Sequence, residues 1–184
     1  MECLSEIKAR LRVFRAETDA SVSVEFILVM PMLFWAFMAS YVFFDGYRQS
    51  SINLKAAYTI GDLISRETDP INDNYLDSMY SLHRLLTHAT SSTTLRVTVV
   101  RWNEDDNRFY RDWSESRGDI MPLTSAEVLL LNDKLPAMPN AERVILVETT
   151  NSFFPVYKVG LETLSLDNFV FTRPRFAPQV VWES

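Results

Sequence analysis

The chain holds one cysteine in 184 residues, Cys3, and a lone thiol excludes an intramolecular disulfide framework. It stands two residues from the start, ahead of any apolar stretch, and reads as an incidental cytoplasmic thiol. Glycine is almost as scarce, with four scattered residues, so no glycine-rich loop is available to cradle a phosphate. Neither a G-x-S-x-G turn nor a cysteine beyond Cys3 supplies a nucleophile. The two histidines, His83 and His88, are five residues apart. On a helix that spacing turns them about 500° and points them away from one another, unlike the four-residue spacing of zinc helices. These absences argue against an enzyme, and no cofactor or metal is expected. Positive charge is short as well: 18 Lys and Arg against 24 Asp and Glu give a net charge of −6. No basic cluster follows the apolar segment described next, which argues against a nucleic-acid partner.

What is present is a long apolar run. Phe26 to Phe44 is 19 residues without a charge, close to the roughly 20 needed to cross a bilayer core as a helix. Glu25 sits at its start, where interface gives way to hydrocarbon. A carboxylate at bilayer depth costs about 2.5 to 3.5 kcal/mol on insertion scales. Two readings of Glu25 therefore stay open, a functional carboxylate with a partner and a headgroup-layer residue in water. Pro31, inside the run, removes one backbone hydrogen bond and predicts a kink between Ile27 and Pro31.

Ahead of the run, Lys8, Arg10, Arg12 and Arg15 fall within eight residues, whereas Arg48, Lys55 and Arg66 are spread over nineteen beyond it. That bias favours an N-terminus in the cytoplasm. Leu4, Ile7, Leu11 and Phe14 recur at helical spacing, so Glu2 to Phe14 reads either as a short amphipathic surface helix or as a disordered basic leader. A secretory signal cut near Ala39 competes for the same residues. The apolar run is longer than such signals need, begins beside Glu25, and puts bulky Phe37 where a small side chain is required.

Beyond Asp45-Gly46 a helical pattern continues, with Tyr47, Ser51, Leu54, Tyr58 and Gly61 on one stripe and Ala57, Ile60 and Ile64 beside it. An unbroken helix from about Ser21 to Glu67 would be roughly 70 Å long, more than twice a bilayer core. The stripe of Tyr47, Leu54, Tyr58 and Ile64 is expected to face the following domain or a neighbouring subunit.

Asp69-Pro70 and Asn72-Asp-Asn74 stop that helix. A second helix is expected over Tyr75 to His88. A hairpin follows, of Leu95–Trp102 and Arg108–Trp113, in which Trp102 pairs with Phe109 or Tyr110. Its acidic tip, Glu104, Asp105 and Asp106, lacks the alternating ligands of a calcium loop and reads as solvated. Thr124 with Glu127 forms a capping box for a third helix reaching Leu135. Glu142–Thr150 reads as a central strand and Asn168–Arg173 as a fourth. Between them, Phe153-Phe-Pro-Val-Tyr157 is expected to be core rather than an exposed docking surface. The fold class is α+β, a long N-terminal membrane-spanning helix with a mainly antiparallel sheet and short helices. Its parts are a leader (1–20), a membrane-spanning and projecting helix (21–68) and an α+β domain (69–184).

The residues Thr18-Asp-Ala-Ser-Val-Ser-Val-Glu-Phe-Ile-Leu-Val-Met-Pro31 resemble the start of TadE-like and TadG-like proteins, pseudopilins of the tight-adherence (Flp-type) pilus system. Their pattern is a short basic leader, a small residue, four variable residues, a glutamate, an aromatic residue and an apolar helix containing proline. Here these are Ala20, Ser21 to Val24, Glu25, Phe26 and Pro31. The likeness covers about the first 65 residues. More loosely it extends to Phe154-Pro-Val-Tyr157 and Thr172-Arg-Pro-Arg175. It departs from the family at Ala20, where glycine is usual, and at Phe26, where tyrosine is commoner.

The resemblance implies a pilin-like domain and cleavage between Ala20 and Ser21 by a membrane-embedded prepilin peptidase. It also implies other pilus or pseudopilin subunits as partners, in a bacterial inner membrane with the C-terminal domain periplasmic. Cutting would set the new amine of Ser21 one helical turn from Glu25, a charge pair far stronger at low dielectric than in water. Two other functions remain in competition: a membrane-anchored periplasmic binding or sensing domain with an uncleaved leader, and a secreted domain cut near Ala39.

Overall fold

The computed structural model describes residues 10, 12–13, 19–89 and 91–183. Arg10, Arg12 and Val13 are helical; Cys3 and the rest of the Glu2–Phe14 segment lie outside the described residues. The first element, α1, is one helix of 47 residues, Asp19–Ser65, and it runs through Pro31 without a break. The proline therefore interrupts one hydrogen bond and not the helix. The chain forms two compact units. Of the described residues, one comprises those up to Phe44 with Val156–Leu161, and the other comprises those from Asp45 to Pro155 and from Glu162 onward.

In the second unit the later part of α1 is followed by α2 (Asp73–Leu86), whose N-cap Asn72 accepts a hydrogen bond from the Tyr75 amide at 3.1 Å. Then come β1 (Thr94–Asn103), β2 (Arg108–Arg117), α3 (Ser125–Leu129), a short 3₁₀ turn (Asn132–Lys134), β3 (Arg143–Phe153) and β4 (Leu164–Thr172). The strands form one antiparallel sheet of order β2-β1-β3-β4. The α+β class read from the sequence is thus the observed one, as are the β1–β2 hairpin and the central place of β3.

Alternation along the central strands sends side chains to two cores. Leu95, Val97, Val99, Ile145 and Val147 pack with Ile60 and Ile64 of α1, Leu76 of α2, Ile71 and Val180. On the other face Val100, Val144 and Leu146 pack with Val128, Leu131, Leu135 and Phe109. Directly opposed on that face, Arg96 and Glu148 form a two-pronged ion pair at 2.7 and 2.8 Å. Trp102 packs against Phe109 with ring centroids 4.7 Å apart and the rings tilted by 56°, an aromatic pair expected of the hairpin, and Glu104, Asp105 and Asp106 stand exposed at its tip.

Three expectations are corrected and one, the stripe of α1, is narrowed. On α1 the buried stripe is Asn53, Ala56, Ala57, Ile60, Gly61 and Ile64, while Tyr47, Leu54 and Tyr58 are exposed. The small residues Ala57 and Gly61 let the sheet approach, and the Thr172 and Val147 methyls come within 3.6 and 3.7 Å of where a Gly61 Cβ would sit. The third helix breaks after Leu129 into the 3₁₀ turn, with its capping box present as expected. Tightening the chain there keeps Val128, Leu131 and Leu135 against the sheet.

Strand β2 runs on to Arg117 because Ser114 is buried and hydrogen-bonded to Thr98 at 2.7 Å. A bulge at Asp112 corrects its register, and there the carboxylate meets Arg143 at 2.6 Å. Finally, of the segment from Phe153 to Tyr157 only Phe153 is core; Phe154, Val156 and Tyr157 are exposed.

Candidate functional site

All five residues singled out from the sequence lie on α1. Ala20 and Ser21 fall in its first turn, with the backbone already helical. Glu25 is four residues beyond Ser21, so the two positions share a helix face. Glu25 and Phe26 are both exposed. Pro31 lies further along, among side chains that are almost all open to the surroundings, Leu28 and Phe37 at 70% and 78% exposure among them. Water does not tolerate so continuous an apolar surface. Among the described residues this is the one helix long and apolar enough to cross a membrane, and it lies near the N-terminus. The chain is compatible with a single-pass membrane protein.

The base of the helix is built differently, and polar groups fix it. Asn53 and Asn151 are both buried, and the Asn151 amide donates to the Asn53 carbonyl oxygen at 3.1 Å. Asn53 also donates to the backbone oxygen of Gln49 at 2.9 Å, and Gln49 donates to that of Thr87 at 2.8 Å. One polar line therefore ties α1 to β3 and to the end of α2. The C-terminal tail is bound as well: the Arg175 amide donates to the Ser65 carbonyl at 2.8 Å, and the Arg175 guanidinium meets Asp62 at 3.1 Å. Further on, Ile71 pairs with Trp182, and the Trp113 indole donates to Val180 at 2.8 Å.

Sequence reasoning missed Gln49, Asn53 and Asn151. Their signal was faint: two amides on a mostly apolar stripe of α1, and one on the inward face of β3.

His83 is fully buried on α2, with neither ring nitrogen hydrogen-bonded among the described residues. Burial pushes its pKa down to about 4. Among the described residues no group of three or more His, Cys, Asp or Glu side chains is placed to hold a metal ion. An apolar groove of about 580 Å³ is lined by Met30, Leu33, Phe34, Phe37, Met38, Tyr41 and Tyr157. Apart from the phenols of Tyr41 and Tyr157, its lining side chains are apolar. What the geometry offers is a surface for apolar association.

The fold and this surface define a class, an α+β domain continuous with one long, bare apolar helix. No family model, curated protein or solved structure matches the chain.

Proposed function

We propose that the chain is a pseudopilin or minor pilus subunit that takes part in assembling a tight-adherence (Flp-type) pilus, a structural rather than a catalytic role. One observation carries the reading: a single 47-residue helix whose first part is apolar and bare and whose last part is built into a sheet domain. Such a helix needs lipid or the helices of other subunits to cover it. The Ala20 to Pro31 pattern at its start resembles the family's processing region in its spacing, with alanine for the usual glycine at Ala20 and phenylalanine for the commoner tyrosine at Phe26.

On this reading the chain sits in a bacterial inner membrane with its N-terminus cytoplasmic and its sheet domain periplasmic. A prepilin peptidase cuts between Ala20 and Ser21. Because the first turn is helical there, cutting requires Asp19 to Ser21 to unwind into the peptidase. The released amine of Ser21 then pairs with Glu25 of the same or an adjacent subunit.

Glu25→Gln tests the pairing, since it removes the charge and keeps the shape. Losing one partner of a buried pair costs about 3 to 5 kcal/mol, enough to lose assembly, whereas an amide is easier to insert than a carboxylate. The variant is expected in the membrane at normal level but no longer in its complex. Wild-type assembly and unchanged partners on co-purification would refute the role.

A further inference from the structure

We propose that Val156–Leu161, in the loop between β3 and β4, is a second lipid contact that seats Val156 and Tyr157 in the bilayer interface on the Asp45 side of the span; this rests on reading Phe26–Phe44 as that span. Three observations meet here. The segment groups with the helix residues up to Phe44 and not with the sheet unit. Tyr157 helps to line the groove along α1 between Met30 and Tyr41, a stretch with no charged residue. Val156 and Tyr157 are nevertheless exposed, Val156 at 66%.

A surface in lateral contact with a membrane-spanning stretch meets the same solvent as that stretch, which is lipid. The composition fits the interfacial layer: an aliphatic side chain, an amphipathic phenol, and Lys158, a residue type that can lay its stem along apolar surface and hold its ammonium among headgroups. Irregular backbone is not tolerated against hydrocarbon, and the segment keeps few internal bonds, among them Val159 N–H to Tyr157 C=O at 3.1 Å. That places it in the headgroup boundary and not at the bilayer centre. Tyr41 is the groove residue nearest Asp45, four residues before it, so that end of the groove opens about 6 Å from the end of the span.

The test uses the full chain with Cys3→Ser, reconstituted in phosphatidylethanolamine–phosphatidylglycerol vesicles. A polarity-sensitive fluorophore is placed in turn at Val156→Cys, Phe37→Cys and Asp105→Cys, and quenched by lipids carrying nitroxides at shallow or deep positions or by aqueous iodide. The expected result is deep-nitroxide quenching at position 37, shallow-nitroxide quenching with loss of iodide access at 156, and iodide quenching alone at 105. If position 37 is quenched by lipid while 156 behaves like 105, the loop proposal is overturned and the span stands. If 156 is shielded from both iodide and nitroxides, protein and not lipid covers the loop, and the proposal is again overturned. If position 37 itself behaves like 105, the span reading falls and the loop contact with it.

Discussion

Asn53 and Asn151 meet amide to amide at 3.1 Å, 98 residues apart in sequence and both closed to solvent. The bond joins the later part of α1 to β3, one of the two central strands of the sheet. Removing one partner leaves a buried amide without its mate, at a cost of about 1 to 3 kcal/mol. Asn53→Leu is therefore expected to lower the melting temperature of the full chain in detergent, and Asn53→Leu with Asn151→Leu to recover part of the loss. Additive losses in the double variant would show that the two amides are not coupled.

The helix faces are separated by a pair of substitutions. Ile60 is fully buried between α1 and the sheet, and Ile60→Ala should cost about 2 to 4 kcal/mol. Leu54 is 41% exposed, so Leu54→Asp should leave the melting temperature nearly unchanged. If Leu54→Asp nevertheless disperses the assembly, the Tyr47–Leu54–Tyr58 stripe is a contact between subunits. A large drop in melting temperature with Leu54→Asp would contradict the exposed placement.

His83 makes stability depend on pH. In the folded chain its ring resists protonation until about pH 4, whereas the unfolded chain takes the proton near 6.5. Stability from this group is complete above pH 6.5 and is lost as pH falls from 6.5 toward 4, by at most about 3 kcal/mol. His83→Leu should remove that part of the acid slope in denaturant melts, with little loss at pH 7 because neither nitrogen is hydrogen-bonded among the described residues. An unchanged slope would mean the ring is reached by water or a charge partner.

The apolar run, the hairpin with its Trp102–Phe109 pair, the capping box at Thr124 and the central strand were legible because each rests on local chemistry. Periodicity placed α1 and marked Ile64 as a packing residue, but it did not separate the face buried on the sheet from the exposed one that carries Tyr47, Leu54 and Tyr58. Tyr47, Leu54 and Tyr58 are larger and more hydrophobic than Ala57 and Gly61, yet close packing of a helix on a sheet selects small side chains. The length of β2 was hidden because an edge strand needs only one buried side chain in two, and Ser114 meets that need through a hydrogen bond. The exposure of Phe154 to Tyr157 was hidden for a related reason: aromatic composition signals burial, and only the chain's path shows against what. At the candidate site the sequence named residues of α1 alone. The Asn53–Asn151 bond joins positions too distant in sequence for any local pattern to connect.

The central claim is that the chain is processed and assembled as a pseudopilin, and the intact mass of the protein from its native host membrane tests it most directly. A mature chain beginning at Ser21, together with retention of the leader in Ala20→Phe, is the predicted result. An N-terminus at Met1 in the wild type, or equal masses for wild type and Ala20→Phe after allowing for the substitution, would contradict it.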